Sequence, residues 1–225
     1  MGPERVTVDV LGTLRGIQLG RVNICPFEYN PVSQTLRVYH DLVVEIRFEH
    51  ADLTKTEQMR TLMDNPFFRG TGSSLLNHRA VASRDTITRM PVKYVIVSDP
   101  MFESQLEPFI TWKTKRGFTV IEAYTNDPLV GNTTASIKAY LQGLYEAGTP
   151  DDPAPSFVLF VGDVAQIPAW SLSGESDLEY CEYTGDLFPE VYYGRFSATN
   201  ADQLQPQIDK TLMYEQFTMP PIMTT

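Results

Sequence analysis

Ser156-Phe157-Val158-Leu159-Phe160-Val161-Gly162-Asp163 decides the reading of this chain. Five apolar residues run without a polar break and stop at Gly-Asp. A short continuous apolar run bounded by turn residues reads as a strand buried on both faces. Parallel strands have this composition because helices cover both sides of their sheet. In open α/β sheets the chemistry gathers just past the carboxyl ends of the strands. Asp163 would put a carboxylate at that edge, although a plain loop-capping aspartate has the same signature.

Working outward, strand and helix patterns alternate on both sides of this run. Val92-Lys93-Tyr94-Val95-Ile96-Val97 predicts a strand that ends at Ser98-Asp99-Pro100. Residues 102–116 carry Leu106, Phe109, Ile110 and Trp112 at helical spacing, with Pro108 inside and Gly117 at the capping position. Phe118-Thr119-Val120-Ile121-Glu122-Ala123 reads as the next strand. Thr133 to Gly148 reads as a helix with Ile137, Tyr140, Leu141 and Leu144 on one face. Val191-Tyr192-Tyr193-Gly194-Arg195-Phe196 predicts a fourth strand, and 202–217 a last helix in which Pro206 suits only the first turn. Strands separated by helices of this length predict an α/β fold with a mainly parallel sheet flanked by helices.

The N-terminal part differs. Val6-Thr7-Val8-Asp9-Val10 alternates with period two, and 14–20, 35–39 and 42–48 follow as further strand-like runs. The last two predict a hairpin across His40-Asp41. Residues 1–52 therefore read as a small all-β region with apolar residues enough for one small core. Residues 53–90 read as a linker that opens with a helix over 53–63 and carries Arg79, Arg84 and Arg89. The α/β part is 91–225.

The chain has 225 residues and a net charge of −10, with a pI near 4.7. That balance argues against a nucleic-acid partner, which calls for a basic face. No run approaches the roughly 18 apolar residues of a membrane span. No signal peptide opens the chain, and its immediate strand-like alternation suggests a piece of a longer precursor. Cys25 and Cys181 lie far apart, without metal-ligand spacing or the pattern of a disulfide framework. The histidines, His40, His50 and His78, all lie in the β region or the linker. No catalytic constellation assembles from these groups, and no glycine-rich phosphate loop follows a strand.

The acidic stretch Ser176-Asp177-Leu178-Glu179-Tyr180, Glu182 and Thr184-Gly185-Asp186-Leu187-Phe188-Pro189-Glu190 is the most informative chemistry. Asp186 and Glu190, with Asp163 brought near by the sheet edge, could supply oxygens to calcium, which takes six to eight. The spacing is not that of an EF-hand, and an ordinary acidic surface loop has the same composition.

Several blocks together resemble the gingipain family of cysteine peptidases. They are 155–163 with Ile167-Pro168, Ser176-Asp177, Tyr193-Gly194-Arg195-Phe196-Ser197, Phe109-Ile110-Thr111-Trp112-Lys113, Gly117-Phe118, and Ile208 through Glu215. Gly12-Thr13-Leu14-Arg15-Gly16, Tyr29-Asn30-Pro31 and Leu36-Arg37-Val38-Tyr39 resemble the end of that family's propeptide. The resemblance implies a caspase-like catalytic unit of two subdomains, of which this chain holds the first, inactive by itself. It places the catalytic His and Cys beyond Thr225, so no catalytic residue is assigned here. It implies structural calcium held by Asp163, Asp186 and Glu190 with the carbonyls of Thr184 and Phe188. It implies a precursor whose propeptide restrains the enzyme and is removed after a basic residue, with Arg79, Arg84 and Arg89 as candidates. The parent would be a secreted or surface cysteine endopeptidase acting on proteins. The alternatives are a sortase or transpeptidase of a bacterial secretion system, and a non-catalytic module of the same fold.

Overall fold

A computed structural model describes residues 5–72, 74–77, 91–171 and 174–219. Strand β5 (Val92–Ser98) and β7 (Phe157–Val161) are the buried centre. They pair in parallel with each other, β5 with β6 (Phe118–Tyr124) and β7 with β10 (Tyr192–Phe196), giving the order β10-β7-β5-β6, while β8 (Trp170–Ser171) and β9 (Glu175–Ser176) form a separate short ribbon. All four strands run the same way, as the sequence predicts.

Alternation along β5 and β7 sends side chains to two cores. Val95, Val97, Val158 and Phe160 meet Ile137, Leu141 and Tyr145 of α4 (Thr134–Glu146) on one face. Ile96, Leu159 and Val161 meet Leu106 and Phe109 of α3 (Glu103–Lys115) and Leu204 and Ile208 of α5 (Ala201–Glu215) on the other. An uninterrupted apolar run is therefore what a strand between two helical layers requires. Helix α4 starts at a capping box in which Thr133 and Ser136 satisfy each other's backbone N–H. Helices α3 and α5 are joined by Glu215, which accepts from Trp112 Nε1 at 2.8 Å and from Lys113 Nζ at 2.6 Å. Pro206 is the sixth residue of α5 and so lies in its second turn, one turn later than the sequence reading allowed. Packing of Leu204 and Ile208 outweighs the missing hydrogen bond there.

The N-terminal β region forms two separate ribbons. Strand β1 (Val6–Leu14) pairs antiparallel with β2 (Ile17–Ile24), and β3 (Phe27–Asn30) with β4 (Thr35–Val38). The expected hairpin between 35–39 and 42–48 is not formed: β4 takes β3 instead, and 42–48 stays outside any strand. The competing partner wins because Tyr29-Asn30-Pro31 to Gln34 makes the tighter return, with Asn30 Oδ1 accepting from Val32 and Ser33 N–H. The expected small core is also missing, since all buried apolar side chains among the described residues lie at Val92 or later. Two-stranded ribbons have too little face to bury one. Within 53–90, Leu53–Met63 is helix α1 and Arg69–Gly72 a single turn, α2, while Arg79, Arg84 and Arg89 lie outside the described residues.

If β7 sits between two helical layers, Phe160→Ala should lower stability by about 3–5 kcal/mol, while Val43→Ala should change it by less than about 0.5. Urea denaturation of the two variants against the parent chain checks this, and equal losses would contradict the layering.

Candidate functional site

The carboxyl edge of the sheet is where sequence reasoning placed the chemistry. Strand β5 is linked to β6 on one side and β7 leads on to β10 on the other, so their carboxyl ends meet at a topological switch point. A polar crevice of about 380 Å³ opens there, lined among others by Asp99, Thr125, Asn126, Asn132 and Gln166. Gly162, with φ of +132°, lets the chain leave β7 and turn back. A Cβ at that position would meet Gln166 Cβ at 2.6 Å. Asp163 then lies at the rim, where its N–H donates to Ala198 O and its carboxylate accepts from Ser197 Oγ at 3.1 Å. Asp99 accepts from Met101 N–H at 2.9 Å and so caps the turn after β5.

One arginine holds this edge together. Arg195 of β10 grips Asp177 through two hydrogen bonds of 2.6 and 2.8 Å. Its Nη1 also donates to the carbonyls of Gly162 and Ile167, each at 2.9 Å. Both side chains of the pair are mostly shielded from water. The turn after β7, the loop at Asp177 and strand β10 thus meet at one planar fork, a geometry lysine cannot reproduce. Sequence reading singled out Ser176-Asp177 and Gly194-Arg195 as blocks but not as partners; opposite charges in two otherwise apolar or polar blocks were the signal.

The expected calcium ligands are divided between the two edges. Asp163 follows the carboxyl end of β7, whereas Thr184, Asp186, Phe188 and Glu190 precede the amino end of β10. The five-residue strands between them put the two groups roughly 16 Å apart. The loop carboxylates face N–H donors: Glu182 accepts from Thr184, Gly185 and Asp186, Glu190 from Tyr183, and Asp186 from Phe188 and Thr13. Among the described residues no three His, Cys, Asp or Glu side chains are grouped as a metal cage. The five residues therefore do not fit one calcium site. Buried Glu182 and Glu190 both reach Thr184 Oγ1, at 3.4 and 3.2 Å. Burial and these like-charged neighbours push the Glu190 carboxyl up from its ordinary value.

The two cysteines differ in their surroundings. Cys181 is fully buried, and burial first, then Asp177 and Glu190, raise its thiol well above the ordinary value. Cys25 is exposed in the β part, and His40 and His50 are exposed there too.

At the opposite, amino edge the N-terminal segment is strapped down. Asn65, buried, donates to Ser156 Oγ at 2.6 Å. Phe67 packs on Phe118 and Phe157, and Phe68 stacks on Tyr192 with ring centres 4.3 Å apart. Arg15, at the tip between β1 and β2, donates to Glu190 O at 2.9 Å and Pro155 O at 3.2 Å.

A parallel sheet between helical layers thus has a polar crevice at one edge and an upstream segment strapped across the other. Residues 87–224 match the model of Peptidase family C25, and residues 2–69 match Propeptide_C25. The chain belongs to peptidase family C25, and it joins a propeptide segment to a segment of the catalytic domain. It is 35% identical over 228 residues to Lys-gingipain of Porphyromonas gingivalis, a match covering 98% of this chain and 13% of that protein. It is 31% identical over 209 residues to gingipain R2 of the same organism, covering 90% of this chain and 28% of that one. A solved structure described as "Structure of Protease" aligns at 39% identity with a TM-score of 0.55, over 59% of this chain and 30% of that one. The chain thus spans 13% and 28% of the length of the two curated relatives.

The thiols should report this arrangement directly. A water-soluble disulfide reagent should modify Cys25 quickly in the native chain and Cys181 only after denaturant is added. Rapid native modification of Cys181, resolved by peptide mapping, would place it outside the core.

Proposed function

We propose that this chain is the junction of a secreted or cell-surface cysteine endopeptidase zymogen, with the end of its propeptide docked on the first catalytic subdomain. The observation that carries the reading is the strap itself. Residues inside the propeptide match contact residues inside the peptidase match, through buried Arg15 and Asn65 and through the rings of Phe67 and Phe68. The reacting thiolate and its histidine are supplied from outside this chain. Attack of the thiolate on a substrate carbonyl would give a thioester while the histidine passes a proton to the leaving amine; water then releases the acid. What these residues supply is the sheet and the Arg195–Asp177 fork that hold the carboxyl edge rigid for that chemistry.

The full precursor should hydrolyse protein substrates only after a cut behind Arg79, Arg84 or Arg89, whereas the chain alone should be inactive. Incubating the precursor, sequencing the new N-terminus and assaying peptide cleavage tests both statements. A cut within Val92–Ser98, or activity of the isolated chain abolished by Cys181→Ala, would refute the reading.

Calcium, if the protein takes it, is held by the loop before β10 without Asp163. The close approach of Glu182 and Glu190 over Thr184 supports this, because a cation there would relieve two buried like charges. In calorimetric titration of the chain with calcium chloride, Asp163→Asn should bind as the parent does and Glu190→Gln should bind more weakly. Loss of binding in Asp163→Asn would overturn the assignment.

A further inference from the structure

The tip of the β1–β2 hairpin carries a residue poorly suited to its backbone. Arg15 and Gly16 both adopt positive φ, +48° and +74°, as a two-residue turn of this hand requires. Glycine, asparagine or aspartate suits the first of these positions; arginine is strained there. Its side chain nevertheless is only 4% exposed, so the position is occupied for what the guanidinium touches.

What it touches is a socket built by the peptidase part. Pro155 O, just before β7, and Glu190 O, just before β10, both accept from Nη1. The ring of Tyr145, at the end of α4, lies 5.7 Å from the guanidinium carbon, and Phe68 of the strap covers it from 4.4 Å. Burial lowers the guanidinium from its ordinary value, and the nearby Glu190 carboxylate opposes that. Beside the socket, Asp186 accepts from Thr13 N–H. Gly12 lies so close that a Cβ would meet Asp186 and Phe188 at 2.7 Å. Three hairpin positions, Gly12, Thr13 and Arg15, therefore match one concave surface. Arg15 Nε and the Tyr145 hydroxyl are buried without hydrogen-bond partners among the described residues, which leaves the anchor short of its full strength.

We propose that the amino edge of the peptidase sheet is a receptor for an arginine presented at the tip of a tight β-turn, and that the β1–β2 hairpin is its ligand. The acceptors are two backbone carbonyls fixed by strand ends, so the socket persists when the chain is cut within 78–90. It is separate from the polar crevice at the carboxyl edge, and the upstream fragment stays attached at this edge, through Arg15 together with Asn65, Phe67 and Phe68, rather than through that crevice. An arginine-tipped turn offered in trans would compete for the same place.

The test uses the full chain with a site-specific protease sequence inserted between residues 78 and 90. After the cut, the two pieces should co-elute in gel filtration, and Arg15→Ala should speed their separation at least about tenfold, the scale of a lost buried charge-assisted contact. Arg15→Lys should rescue only partly, because an ammonium brings no planar guanidinium to lie against the Phe68 and Tyr145 rings. A disulfide-cyclised peptide of residues 10–19 should displace the fragment from the cut parent chain, and its Arg15→Ala version should be at least about tenfold weaker. This second measurement does not depend on the variant chain folding. Equal retention by parent and Arg15→Ala chains, or equal displacement by the two peptides, would overturn the proposal.

Discussion

Two strands with no solvent-facing side govern this molecule. Strands β5 and β7 bury both of their faces, so each needs helices above and below before its backbone polar groups and apolar side chains are satisfied together. That requirement fixes α4 on one side and α3 with α5 on the other. It also leaves the two ends of the sheet as the places where chain can turn, and thus where polar groups collect.

The two ends are used differently. At the carboxyl edge Arg195 ties three segments together, and the crevice beside Asp99 and Asp163 stays polar. At the amino edge the chain that precedes the sheet returns and is held by stacked aromatic rings and by buried Asn65 and Arg15. A prosegment anchored this way holds the sheet without relying on the edge that serves chemistry in α/β enzymes.

Much of the α/β half was legible in the sequence. The strand at Phe157–Val161, its neighbours and all three helices that cover them follow from apolar run length and helical spacing, because burial on one or two faces writes directly into composition. The N-terminal half was less legible. Runs 35–39 and 42–48 have similar alternation, and only the turn at Asn30 decides that β4 pairs backward with β3. The candidate site was legible as types of residue but not as places: Asp163 and Glu190 are both carboxylates near strand ends, yet those ends lie at opposite edges.

By itself, then, the sequence determined a parallel sheet, its order of secondary elements and, through shared motif blocks, a peptidase family. Only the tertiary structure decided that Asp177 belongs to Arg195, that Asp163 is separated from the acidic loop, and that Arg15 is buried at a turn. The reason is that periodicity records which face of an element is covered, while pairing across loops depends on strand direction and register, which no local pattern encodes.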